Sequence, residues 1–191
     1  MNPSTQGRIV IFSAPSGAGK STIINRLLEK FSRLEFSISA TSRAPRAREV
    51  HGREYYFMDN AEFARRVAAG EFVEWEEVYA GTCYGTLRSE LDRIWAKGNT
   101  IVFDVDVKGG INLKKIFGSQ ALSVFIMPPS VEELRRRLEG RGTDAPEVID
   151  RRVAKAAEEI AHAPQFDRTV VNDSLDRAVA EAERIVGAFI D

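Results

Sequence analysis

Ala14, Pro15, Ser16, Gly17, Ala18, Gly19, Lys20 and Ser21, followed by Thr22, form the segment whose residue types and spacing most plainly do chemistry. Glycines at 17 and 19 let a backbone curl around an anion, so that its N–H groups converge at the positive end of the helix that follows. Lys20 adds a point charge suited to the terminal phosphates of a nucleotide, and the Ser21 hydroxyl is a hard oxygen ligand for an accompanying Mg2+. The segment departs from the strict phosphate-loop pattern at its first position, which here is Ala14 instead of glycine.

Two other groups carry charge in a pattern. Asp104 and Asp106 stand two apart in IVFDVDV, Ile101 to Val107; as a strand, this turns both carboxylates to one face near the carboxyl end, where ligands of open α/β sheets gather. Asp104 is assigned to the Mg2+ environment, directly or through water, and Asp106 to the acceptor side of the nucleotide site, with the two roles exchangeable. After Pro128-Pro129, Ser130-x-x-Glu133 caps a helix that carries Arg135, Arg136 and Arg137 and runs toward Arg141, Arg151 and Arg152. Arg135, Arg136 and Arg151 read as a solvated face balanced by Glu132, Glu133, Glu139 and Asp150. The other arginines suit a moving segment that clamps a migrating phosphoryl group and excludes water.

These groups need a frame. Strand-like IVIFS feeds a helix from about residue 19 to 31, and IVFDVDV, SVFIM (Ser123 to Met127) and RTVVN (Arg168 to Asn172) repeat the apolar run. A final helix sets Leu175, Val179, Ala182, Val186 and Phe189 on one face. Such a rhythm predicts an α/β fold with a parallel sheet. Between about Ser37 and Lys97 the texture changes to short aromatic strands (YYF, EFVEW), glycine turns at Gly70, Gly81 and Gly85, a helix starting at the Asp59-x-x-Glu62 box and a second helical face of Leu87, Leu91, Ile94 and Trp95 ended by Gly98. That stretch reads as an inserted lobe.

Composition removes whole classes of function. With 27 Lys+Arg against 28 Asp+Glu, the net charge of −1 gives no bulk attraction to nucleic acid or an anionic membrane, so any anion site is local. A single cysteine, Cys83, excludes an internal disulfide framework and any cysteine-cluster zinc site. His51 and His162 lack a metal-ligand spacing. Without a signal-like N-terminus or an apolar run of membrane length, the expected location is the cytoplasm.

The stretch Thr41 to Phe57, TSRAPRAREVHGREYYF, is the second strong signal. Together with FSISA before it and GEFVEW, YGT, DVDVKG, MPPSVEELRRRLEGRGT and VVND after it, it resembles the guanylate kinase family over nearly the whole chain, in the family's order. The resemblance implies a P-loop kinase core with a parallel sheet flanked by helices (about 1–36, 98–128 and 156–191), an inserted mixed α/β lobe for the nucleoside monophosphate (about 37–97) and a helical lid (about 129–155). Arg43 and Arg46 match the family's arginines on the phosphate of GMP, Ser39 and Tyr55 its further hydroxyl donors, and Tyr84 is similar to another. Glu74 occupies the position of the base-selecting glutamate, with Thr86 and Asp106 as neighbours in the guanine pocket. The chemistry fits, because a carboxylate offers only acceptors and the Watson–Crick edge of guanine supplies two adjacent donors that adenine lacks. Arg137, Arg141 and Arg152 match the lid arginines, and Asn172 resembles the residue facing the adenine of ATP.

The activity this implies is in-line transfer of the γ-phosphoryl of Mg2+-ATP to GMP or dGMP, giving ADP and GDP or dGDP. The attacking phosphate oxygen is already deprotonated near neutrality, so alignment and charge neutralisation by Lys20, Arg43, Arg46, Arg137, Arg141 and Arg152 are the main demands, met by closure of lobe and lid. The implied partners are small nucleotides, with no nucleic acid and no membrane; a homo-oligomer is left open. Two alternatives stand beside this: a non-catalytic peptide-binding module of the same family, which typically loses the loop lysine or lid arginines retained here, and a related kinase with another acceptor such as AMP, UMP or a sugar phosphate.

Overall fold

A run of β-branched and aromatic side chains from Ile9 to Phe12 makes most of β1 (Ile9–Ser13), a strand buried along its whole length. Such a strand needs cover on both faces. In the computed structural model, which describes residues 7–79, 81–140, 142 and 145–191, β1 is the middle of a five-stranded sheet. Its order is β2 (Leu34–Phe36), β7 (Thr100–Asp104), β1, β8 (Ala121–Met127), β9 (Arg168–Val171). β8 runs parallel to both β1 and β9. Helix α1 (Lys20–Lys30) brings Ile23, Ile24 and Leu27 into one apolar cluster with Val10, Phe12 and Val124 of the sheet and Ala178, Ala182 and Val186 of α7 (Leu175–Ile190). The predicted α/β architecture with a parallel sheet between helices is the one found.

Two compact units emerge, one of Arg8–Leu34 with Val102–Asp191 and one built on Glu35–Ile101. The first also holds α4 (Val107–Phe117), α5 (Val131–Gly140) and α6 (Pro146–Ile160), with Leu134 and Leu138 of α5 packed on Ile149 and Ala156 of α6. The Ser130 hydroxyl accepts from Glu133 N at 3.1 Å, as its spacing predicts. The second unit holds a four-stranded sheet of order β4 (Tyr56–Phe57), β3 (Ala40–Thr41), β6 (Thr82–Leu87), β5 (Phe72–Tyr79), with α2 (Asn60–Ala68) and α3 (Arg88–Trp95). One face of that sheet is apolar: Ala40, Phe72 and Leu87 close on Phe63 of α2. By the two-residue period, Thr41, Phe57, Tyr84, Thr86 and Glu74 share the other face.

Four details differ from the pattern. The strand read as Ile101 to Val107 stops at Asp104, and the chain turns into α4 with Asp106 as its N-cap, so the two aspartates do not share a strand face. Gly85 lies inside β6 instead of in a turn, because a side chain there would collide with Glu74 O, Phe72 and Trp75. Leu175 is 38% exposed, and the buried face of α7 is Ala178, Ala182, Ile185 and Val186. Finally, α4 itself, with glycines at 109 and 110, escaped the helical pattern. Among the described residues no helix is long and apolar enough to cross a membrane.

The second unit is held by buried charge as well as by its apolar face. Glu90, 1% exposed, accepts from Ile38 N at 2.9 Å, Tyr56 OH at 2.8 Å and Arg93 Nη2 at 2.6 Å, tying α3 to β4 and to the segment before β3. Arg93 also pairs with Glu35, which accepts from Lys97 at 2.7 Å and Asn99 at 2.8 Å. Burial alone would raise the Glu35 carboxyl; the hydrogen bonds from Lys97, Asn99 and Arg93 outweigh it and lower the pKa from the ordinary 4.5 to about 2. A depressed pKa means the ionised form stabilises the fold above the unfolded value, and this contribution is lost as the pH falls from about 4.5 toward about 2. Glu35→Gln is therefore expected to lower stability at pH 7 by on the order of 1 kcal/mol and to flatten the acid limb of a melting-temperature profile. A gap between variant and parent that stays constant from neutrality into that acid window excludes this account.

Candidate active site

The loop between β1 and α1 adopts the conformation that its glycines permit. Gly17 and Gly19 have φ of 95° and 92°, a left-handed region that residues with a Cβ rarely enter. Gly19 is the N-cap of α1, and Ala18 N donates to Pro15 O at 3.1 Å to close the turn. No non-glycine residue among those described has positive φ, so Ala14 fits where the strict pattern has glycine. Residues 14–22 line a cavity of about 470 Å³ together with Asp104, Val105, Asp106, Lys155 and Glu159. Its polar lining and the exposed start of α1 suit an anion.

Lys20 reaches back across this cavity, its Nζ 2.5 Å from Asp104 Oδ1 and donating to Val105 O at 2.9 Å. That pairing fixes a flexible side chain at the mouth of the loop. Ser21 and Thr22 are exposed in the first turn of α1. Asp106 uses Oδ1 to accept from Gly109 N at 2.7 Å, and its carbonyl accepts from Ser13 Oγ at 3.0 Å. Among the described residues no three His, Cys, Asp or Glu side chains gather closely enough to hold a metal by themselves. Hard oxygens from Ser21 and Asp104 beside a phosphate site nevertheless fit Mg2+, which is commonly held by one or two protein ligands plus phosphates and water. Lys155 and Glu159, a 3.6 Å pair on α6, also face the cavity and were not legible as site residues, because such a pair reads as an ordinary i,i+4 surface bridge. Burial, then the Asp106 charge, push the Glu159 carboxyl up, against the pull of Lys155 and Lys20.

Asn172, at the end of β9, is 5% exposed, and its Nδ2 donates to Ala18 O at 2.8 Å. Arg137 on α5 donates through Nη2 to Asn172 O at 2.9 Å and through Nε to Glu133 at 3.0 Å. Leu134 and Leu138 of the same helix close on Gly17. Arg152 is half-buried on α6, and Arg141 lies outside the described residues.

In the other unit a second cluster forms on the open sheet face. Arg43 is gripped bidentately by Glu49, at 2.6 and 2.7 Å, and its Nε donates to Tyr84 OH at 3.2 Å. Its guanidinium carbon lies 5.0 Å from the Tyr55 ring centre and 5.5 Å from that of Phe57. The hydrogen bond to Glu49 raises the Arg43 pKa further, and in return holds the Glu49 carboxyl at about 2. Burial pushes the Tyr55 phenol up. Glu74 and Thr86 stand opposite each other across β5 and β6, the Thr86 hydroxyl donating to Glu74 Oε1 at 2.7 Å. Arg46 extends from the same turn as Glu49, its backbone N–H donating to Glu49 at 2.7 Å, and Ser39 is half-buried before β3. Glu49, which braces Arg43, and Glu90, which anchors the sheet beneath it, are positions of this unit that the residue pattern missed. Only the turn spacing Arg46-x-x-Glu49 hinted at the first.

Comparison with known proteins bears on this arrangement. A family model described as guanylate kinase matches residues 6–188. A guanylate kinase of Bacteroides fragilis is 54% identical over 97% of the chain and 91% of its own length, and one of Porphyromonas gingivalis is 53% identical over 96% and 98%. A crystal structure of guanylate kinase from Anaplasma phagocytophilum superposes with a TM-score of 0.73 at 35% identity, covering 95% of this chain and 85% of that one.

Proposed function

The chain belongs to the guanylate kinase family, an ATP:GMP phosphotransferase, and we propose how its residues divide that reaction. The loop at Ala14, Pro15, Ser16, Gly17, Ala18, Gly19, Lys20, Ser21 and Thr22 binds the phosphates of ATP. The lobe at about 37–97 binds GMP, or dGMP, through Ser39, Arg43, Arg46, Tyr55 and Tyr84 at the phosphate and Glu74 and Thr86 at the base; Asp106, which belongs to the other unit, is assigned to the base from the family resemblance alone. The segment at about 129–155 is the lid, supplying Arg137, Arg141 and Arg152. The observation that carries the acceptor assignment is that one sheet face holds both a guanidinium stacked on aromatic rings and a carboxylate anchored by a threonine hydroxyl at 2.7 Å. A dianion and a purine edge are the two ends of a mononucleotide.

The chemistry follows from these groups. Glu49 keeps the Arg43 fork rigid, so an arriving phosphate meets an ordered donor set. Glu74 offers two acceptors to N1–H and the exocyclic amine of guanine, a pair that adenine cannot match. Lys20 carries its charge toward the terminal phosphates of ATP, and the glycine-loop N–H groups hold the phosphates behind them. The GMP phosphate oxygen is largely ionised at neutral pH and attacks without a general base; a bond from that oxygen to the γ-phosphorus forms as the bond to the ADP oxygen breaks. Charge spread over the migrating group is met by Lys20 and the arginines. Mg2+, held by Ser21 and Asp104 directly or through water, would neutralise the phosphates of the donor. A chain with one cysteine and a net charge of −1 suits a cytoplasmic enzyme acting on small nucleotides.

Three variants test the division of roles. Lys20→Ala is expected to lower kcat by ~10³-fold with little change in melting temperature; turnover near that of the parent would remove the loop from the chemistry. Arg43→Ala should raise KM for GMP tenfold or more, roughly, while KM for ATP moves by less than about threefold; equal losses for both nucleotides would contradict the acceptor assignment. Glu74→Gln should cut the preference for GMP over AMP by on the order of 10²-fold in kcat/KM, and an unchanged ratio places base selection elsewhere.

A further inference from the structure

Every described polar contact of Asn172 is made with the protein. Its N–H donates to Met127 O at 2.8 Å, its carbonyl accepts from Arg137 at 2.9 Å, and its side-chain amide donates to Ala18 O at 2.8 Å. The two backbone contacts fix the residue on both sides, and with 5% exposure its side chain is aimed at the back of the phosphate loop instead of outward toward a base. A Cβ on Gly19 would overlap the Asn172 amide nitrogen, so the amide packs against the loop as closely as a glycine allows.

Peptide geometry turns this contact into a functional one. The carbonyl of Ala18 and the N–H of Gly19 belong to one planar trans unit and point in opposite directions. Holding the carbonyl from behind therefore turns the Gly19 N–H toward the side on which an anion sits. Resting on the reading of this loop as the donor-phosphate site, we propose that Asn172 is a positioning residue that orients the Ala18–Gly19 peptide for the phosphates of the donor and does not read its base. Arg137 contributes to the same end, since its bond to the Asn172 carbonyl helps fix the residue that fixes the loop.

The test compares ligands that share phosphates and differ in base. Asn172→Asp keeps the volume but replaces the donor by an acceptor facing Ala18 O; Asn172→Ser, a short donor, is read in parallel should the first variant fail to fold. Calorimetry with Mg2+ and inorganic tripolyphosphate, and kinetics with ATP and ITP as donors, are the readouts. Tripolyphosphate binding is expected to weaken about tenfold, KM for ATP and for ITP to rise by that same factor, the ATP-to-ITP ratio to stay fixed, and KM for GMP to change less than about twofold. Unaltered tripolyphosphate binding, or a loss confined to ATP, overturns the proposal in favour of a base contact. A loss spread equally over GMP overturns it in favour of a general structural role. Failure of the parent chain to bind tripolyphosphate would instead remove the phosphate-loop reading itself.

Discussion

The rest of the larger unit depends on one tightly turned piece of backbone, the loop at Gly17 and Gly19 with both residues left-handed. Anion-binding loops need their N–H groups to converge, and convergence leaves carbonyls pointing outward that must be satisfied behind. The surrounding elements supply that backing: β1 delivers the loop from a fully buried strand, Asn172 at the end of β9 takes the Ala18 carbonyl, and Leu134 and Leu138 of α5 cover Gly17. Order in the loop is thus a product of tertiary packing, while the glycines only make the conformation affordable.

Charge is handled by the same logic of prior arrangement. Three of the cations proposed to meet phosphate already have an anionic partner: Lys20 has Asp104 at 2.5 Å, Arg43 has Glu49 at 2.6 Å and Arg137 has Glu133 at 3.0 Å. Local pairing lets a chain of net charge −1 gather cations without general repulsion. It also limits rotamer freedom that binding would otherwise have to remove, at about 2 kcal/mol for a free lysine or arginine side chain. Because the Glu49 carboxyl stays near 2, the brace on Arg43 is ionised across the neutral range and cannot act as a pH switch there.

What was legible in the sequence was local. Glycines beside Lys20 announce the loop, Asp59 and Ser130 announce helix starts that their hydrogen bonds make real, and alternating apolar runs give the parallel sheet. What was not legible depends on burial that no short window contains. Asp106 in DVDV reads as strand, yet it caps α4, because strand and cap share the same extended backbone and only the following N–H groups tell them apart. Nothing in the sequence around Glu90 marks it as buried; Ile38 and Tyr56, distant in sequence, and Arg93, three residues on, together make its burial tolerable. Asn172 follows a strand whose end looks open, and its contact lies 154 residues away.

The side from which Glu74 is proposed to read the acceptor base is set by the register of β5 on β6. A register shift between Phe72 and Glu74 breaks the alternation of β5, so Phe72 lies in the apolar layer with Phe63 while Glu74, two residues on, shares the open face with Tyr84 and Thr86, and Trp75 turns toward Phe63, their ring centres 6.3 Å apart. A slip of one residue would bury the carboxylate in the apolar layer under α2 and set an indole on the open face in its place. Gly85 guards against the slip. Directly opposite Trp75, it leaves room for the Trp75 Cβ and the Phe72 ring where any other residue would collide with both, so the pairing that brings Thr86 against Glu74 is also the one that needs glycine beside it. The Glu74 carboxylate, proposed to select guanine, therefore depends for its orientation on an adjacent position that carries no side chain at all.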